Sequence, residues 1–173
     1  MNYYNEIKKE LVNNEVYKKA KDYSKNRNDL STYYNVGKLL IEAQGGKKRA
    51  KYGDNLIKEY SKRLTKELGA KYSCRNLMNM RKFYLIFKDE KVNAMRSQLS
   101  WTHYRELLKL NDINEINYYI ETSIKQNLSY RDLHKKIQNR EYQRLDNKTK
   151  EKLTRKEESK VEEEKVMEEK AES

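Results

Sequence analysis

Apolar residues in this chain recur every three or four positions along almost its whole length, and no proline interrupts them. That spacing is the period of an amphipathic helix, and a chain without proline keeps its helices whole. Charged residues make up 38% of the chain against 36% hydrophobic, so the core must be small and each helix strongly two-faced. Fifteen tyrosines supply core area with a polar end. The expected fold class is all-α: a multi-helix domain containing helix-turn-helix units, followed by a charged helical or disordered tail.

The most sharply punctuated stretch runs from Tyr52 to Phe87. Its first helix repeats Leu56, Tyr60, Leu64 and Leu68, with Ile57 beside them. Gly69 follows as a C-cap, where the left-handed conformation suits glycine. Ser73 stands as the next N-cap, with Tyr72 and Leu77 spaced as a hydrophobic staple. At roughly 100° per residue, Leu77, Met80, Tyr84 and Phe87 share one stripe. Arg75, Asn79 and Lys82 fall on the other side with Ile86. Arginine pairs bidentately with guanine and asparagine with adenine, while lysine takes phosphate, so this face suits a DNA major groove. The same pattern also fits an ordinary helical hairpin with a solvated polar face.

Before that stretch, Ile7, Leu11, Val16, Ala20 and Tyr23 mark one side of a first helix. The polar run from Lys25 to Asp29 reads as a break or as an exposed turn of one long helix. Leu30, Tyr33, Tyr34, Gly37, Leu40 and Ile41 continue the pattern until Gly45 and Gly46 end it. The connector after them clusters Lys47, Lys48, Arg49 and Lys51, well placed to grip phosphate or to serve as a solubilising loop. After the polar residues 88–98, Ser100 reads as an N-cap with Leu99 and Tyr104 as its staple. Asp112 and Glu115 form a capping-box pattern ahead of Ile113, Ile116, Tyr119, Ile120 and Ile124, and Asn127 ends that helix. Ser129 starts another, with Asp132 in the box position and Leu128 and Leu133 as the staple. On it Tyr130, Leu133 and Ile137 are expected inward, and Arg131, His134, Lys135 and Gln138 outward. Residues 113–140 thus repeat the helix, short turn, Ser-capped helix order of the earlier unit.

The formal charge is +12, which favours a polyanionic partner, nucleic acid first. Residues 157–173 hold eight glutamates against three lysines, a net of −5, which leaves +17 on the rest. From about Asn147 the chain is almost wholly charged, and i,i+4 Glu–Lys pairs would support it as a solvated helix if it folds. Cys74 is the one cysteine, so no internal disulfide forms, and a packed residue in the turn is its simplest role. No apolar run approaches membrane length and no signal peptide opens the chain, which makes it an expected cytoplasmic protein without a membrane partner.

Little here supports catalysis. His103 and His134 are the only histidines, and neither belongs to a nucleophile arrangement or a zinc ligand set. Trp101 reads as an anchor at a helix start. No cofactor, metal or catalytic residue is assigned, and the expectation is that this chain alone is not an enzyme.

The segment from about Ile41 to Arg144 resembles the N-terminal domain of the YhcG-type family. QGGKKRAKYG (44–53), YSKRLTKELG (60–69), YSCRNLMNMRKFYLIF (72–87), LSWTHYRELLKL (99–110) and NLSYRDLHKKI (127–137) carry the resemblance in the family's order. It implies a helix-turn-helix DNA-binding module, which in that family usually precedes a PD-(D/E)XK nuclease domain. No β-rich segment with Asp and Glu-x-Lys follows residue 140 here, so that metal-dependent chemistry is not carried over. Residues 99–137 are also similar, more weakly, to the helix-turn-helix region of ParB-like proteins. The domain expectation is an N-terminal helical hairpin or long helix (1–45), a YhcG-type domain (46–145) and a charged tail (146–173).

The leading expectation is therefore a DNA-binding module. Its base-reading candidates are Arg75, Asn79, Lys82, Arg131, Lys135 and Gln138, with Lys47, Lys48, Arg49 and Lys51 on phosphate and Ser73, Ser100 and Ser129 as caps. Two other readings stand beside it: a protein-interaction module docking on a separate nuclease subunit or other protein, and the remnant of a truncated nuclease. A homodimer through the N-terminal helices is a further expectation.

Overall fold

The computed structural model describes residues 1–20, 25–46, 50–88 and 98–172, and every element among them is helical. The fold is all-α. In chain order the helices are α1 (Tyr3–Ala20), α2 (Lys25–Ala43), α3 (Ala50–Leu68), a 3₁₀ turn (Ala70–Tyr72), α4 (Cys74–Phe87), α5 (Trp101–Leu107), α6 (Ile113–Lys125), α7 (Tyr130–Gln138) and α8 (Asn147–Glu172). The chain divides into two compact units, Met1–Leu108 and Lys109–Ser173. The boundaries read from sequence, at 45/46 and 145/146, fall inside these units.

In the first unit α2 lies against α1 on one side and α4 on the other. The α2–α4 contact is very close at Gly37, where an added Cβ would sit 2.1 Å from the Met80 carbonyl oxygen. Only a residue without a side chain lets the two backbones approach this far. Tyr4, Ile7 and Leu11 of α1, Val36 and Leu40 of α2, and Ile57 and Leu64 of α3 close around Leu77 and Met80. The inward stripe of α1 is Tyr4, Ile7, Leu11 and Asn14, whereas Val16 is 62% exposed, contrary to its expected place. Asn14 is held inside because its side-chain amide donates to Asp29 of α2 at 2.7 Å.

Most of the expected local punctuation holds. Gly69 takes φ 113° after α3, and Ser73 Oγ accepts from the Asn76 N–H at 3.2 Å. Tyr72 and Leu77, the staple pair, are both buried. Gly45, with φ 74°, closes α2: its N–H donates to Glu42 O and that of Gly46 to Ile41 O, the paired bonds of a Schellman cap. Asn127 at φ 49° ends α6 in the same way, and Arg140 at φ 54° ends α7 so. Asparagine tolerates that conformation; arginine adopts it against its preference.

The apolar stripe of α4 differs from expectation at one position. Phe83 is fully buried with Leu77, Met80 and Phe87, while Tyr84 is half-buried and sets its ring edge-on to Tyr34, 5.0 Å between centroids. Phe83 owes its place to α5. It meets Trp101 at 5.4 Å and Tyr104 at 5.1 Å, an aromatic cluster that α4 alone does not announce.

Within the second unit, α6 buries Ile116, Tyr119 and Ile120, whereas Ile113 is 43% exposed. Asp112 caps α6 by accepting from the Asn114 N–H at 2.9 Å, but Glu115 does not complete a capping box. It turns inward, is buried, and accepts from Gln143 Nε2 at 2.8 Å. Tyr142, in the turn after α7, packs on Tyr118, and its N–H donates to the Tyr119 hydroxyl at 3.2 Å. Asp146 then starts α8 by accepting from the Thr149 N–H at 2.7 Å. The charged segment expected as helix or disorder is helical from Asn147 to Glu172.

Candidate nucleic-acid interface

Each unit presents a helix that follows a short turn and a serine cap, but the two helices are held differently. On α4 the first turn is locked from two sides. The Asn76 side-chain amide donates to the Lys71 carbonyl at 2.8 Å, and its Oδ1 accepts from Trp101 Nε1 at 3.3 Å. The Trp101 ring lies 4.8 Å from that of Tyr33, so the tryptophan anchors α5 across α2 and α4. Arg75 is exposed, but Asn79 and Lys82 are half-buried. Lys82 Nζ donates to the Leu108 carbonyl at the end of α5, which ties it to the fold. The three residues expected to share one open face are thus separated in character, because α5 rests beside the far end of that face. Arg81, one position earlier, donates through Nε to Gln44 Oε1 at 2.6 Å and fastens the end of α2.

Ser100 and His103 form a reciprocal cap at the start of α5. The serine hydroxyl accepts from the His103 N–H at 3.4 Å, and His103 Nδ1 accepts from the Ser100 N–H at 3.2 Å. His103 therefore has a structural occupation, as expected.

Helix α7 is anchored by little. Of its residues only Leu133 is fully buried; Ile137 and His134 are half-buried. Arg131, Lys135 and Gln138 are all exposed, at i, i+4 and i+7, and His134 borders them on the same side. Ser129 Oγ accepts from the Asp132 N–H at 3.2 Å and donates to Asp132 Oδ2 at 2.8 Å, which sets the helix start. Tyr130, expected inward, is 40% exposed. Its hydroxyl lies 3.5 Å from Arg131 Nε, and this contact raises the guanidinium pKa further still. Lys136 faces away from the stripe and is paired with Glu141 at 3.1 Å.

The phosphate candidates Lys47, Lys48 and Arg49 lie outside the described residues, and Lys51 falls in the first turn of α3. Beside α6 and α8 a concavity of about 310 Å³ is lined by Asn117, Tyr118, Thr122, Lys125 and Lys150, among others. Among the described residues no group of three or more His, Cys, Asp or Glu is placed to hold a metal ion, and no helix is long and apolar enough to cross a membrane. Sequence reading places Tyr130 inward, against its exposure, and passes over a line of cations on the first turns of α8 that i, i+4, i+7 spacing would have found.

The family model of the DUF1016 N-terminal domain matches residues 3–144, most of the chain and both serine-capped units. This chain belongs to the DUF1016 N-terminal domain family. Over 68 residues it is 40% identical to the protein named "Putative nuclease YhcG" of Escherichia coli (strain K12), as the motifs shared with the YhcG-type family imply. That stretch is 39% of this chain and 18% of the relative, so the match spans under a fifth of the relative's length. No solved structure matches the chain.

Proposed function

We propose that this DUF1016 N-terminal domain protein binds duplex DNA through helix-turn-helix geometry, with α7 entering the major groove. The observation that carries the proposal is the exposed stripe of Arg131, Lys135 and Gln138 on a helix that commits a single residue fully to the core. Arginine and glutamine side chains pair with guanine and adenine edges, and lysine reaches guanine or phosphate. The four-residue connection 126–129 between α6 and α7, with Asn127 in the left-handed conformation, suits a helix-turn-helix. The basic body supplies the sequence-independent part of the affinity. Arg75 offers an exposed contact on the first unit, whereas Lys82 serves α5.

The proposed role is binding: the side chains on α7 hold and read. The kinship with a protein named as a nuclease fits a module that brings cleavage chemistry to DNA. Fluorescence anisotropy of the chain on mixed-sequence duplexes across a salt series tests the proposal. Log affinity should fall linearly with log salt, and Arg131→Ala should lose roughly 1–3 kcal/mol of binding with relaxed sequence preference. No binding at low salt would overturn it.

A further inference from the structure

Helix α8 carries its charge the wrong way round for a helix considered alone. Residues 147–156 hold five cations against Glu151, a net of +4, and residues 157–173 carry −5. The backbone dipole favours acids in the first turn and bases in the last. Here the first turn has no acidic residue beyond the Asp146 cap, and Glu168, Glu169 and Glu172 outnumber Lys170 in the last turns. Electrostatics within the helix therefore oppose this layout, and a partner outside the helix is the simpler account of it.

The basic half is also built into the fold. Asp146 caps it, and its carboxyl is held below the usual range by the hydrogen bonds from Thr149. Thr149, Lys150, Leu153 and Thr154 are half-buried on the side packed toward α6, with the Lys150 ammonium 5.1 Å over the Tyr142 ring. Lys148, Lys152 and Arg155 are exposed on the other side. Their i, i+4, i+7 spacing places them within an arc of about 60° along about 10 Å of helix axis. Glu151 borders the strip, about 40° from Arg155, and with it the exposed set carries a net +2.

We propose that this outer strip of α8 is a second phosphate-contact surface, which grips the backbone of the duplex that α7 reads. It rests on the DNA-binding function proposed above. Both helices belong to the same compact unit, Lys109–Ser173. A backbone contact fixes position and orientation without reading sequence. The acidic half beyond it repels the duplex and marks where the footprint ends.

The test uses the full chain and its triple variant Lys148→Ala, Lys152→Ala, Arg155→Ala, with helix content checked by circular dichroism. Alanine keeps helix propensity high, so α8 should persist. The salt dependence should flatten by about 2–3 in log–log slope, near 0.9 per lost phosphate contact. Affinity should fall about equally on every duplex, unlike the loss from Arg131→Ala. A pair of lysine changes in the acidic half, Lys165→Ala with Lys170→Ala, should leave the slope unchanged. If the parent chain binds and the triple variant keeps its slope, the α8 strip is refuted while the DNA-binding function stands. If the parent chain does not bind, both fall.

Discussion

The α3–α4 and α6–α7 pairs are written in the same grammar and used to different ends. Each has an amphipathic helix, a turn with one left-handed residue, a serine cap and an arginine two positions later. In the first pair the second helix buries Leu77, Met80, Phe83 and Phe87 and gives a lysine to a neighbouring carbonyl. In the second it buries Leu133 alone and turns Arg131 and Lys135 outward. Local signals thus decide where a helix starts and how it enters. What the helix then does depends on how many neighbours cover it, and α4 has α2, α3 and α5 around it.

The contrast can be broken most forcefully in the core of α4. Leu77→Ala should cost about 2–5 kcal/mol of stability, the range for a fully buried leucine. Chemical denaturation checks this, and a loss under 1 kcal/mol would mean that α4 is not the buried helix of the pair. Next in size is a matched pair of lysine changes. Lys82→Met should lower stability by about 1–2 kcal/mol by stranding the Leu108 carbonyl, with DNA affinity of the folded protein unchanged. Lys135→Ala should do the reverse: stability within about 0.5 kcal/mol of the parent, and weaker binding. Equal binding losses from both would show α4 and α7 sharing the work. Smaller again is Arg140→Gly, which removes the cost of holding an arginine at φ 54° and should stabilise α7 by up to about 1 kcal/mol. A lowered melting temperature would contradict it.

The gentlest comparison is by pH. Burial raises the pKa of Tyr33 and Tyr72 in the first unit and of Tyr119 and Tyr142 in the second. A raised pKa on an acid means that the folded state holds its proton longer. The stabilisation is complete below about pH 10 and is lost as pH rises through the folded values. Thermal melts should be flat from this source near neutrality and fall on the alkaline side. Ionisation followed at 295 nm should lag behind that of free tyrosine.

The fold class and the helix boundaries were legible because their signals are local. Ser73, Ser100 and Ser129 accept from the third residue after them, and Gly45, Gly69 and Asn127 take the positive φ that their types allow. Facing was less legible. Phe83 and Tyr84 lie about 100° apart on the helix, and only the arrival of Trp101 and Tyr104 from α5 makes Phe83 the buried one. Glu115 has the spacing of a capping-box residue, yet Gln143, 28 positions later, draws it inward. Arg140 gave no sign at all, since arginine is not a residue that invites the left-handed region. Among the candidate site residues, the outward set on α7 could be placed by period alone. Lys82 could not, because its partner is the carbonyl of Leu108.

The position of Trp101 has a spectroscopic consequence. It is the chain's one tryptophan, and it lies in the first unit, packed against Tyr33 and edge-on to Phe83 and hydrogen-bonded to Asn76. Excited at its red edge, the protein therefore reports on the α4–α5 junction. Emission that holds steady while a labelled duplex binds would locate the event in the second unit, and emission that shifts on denaturation would time the loss of the first. The molecule carries its own reporter for telling its two halves apart.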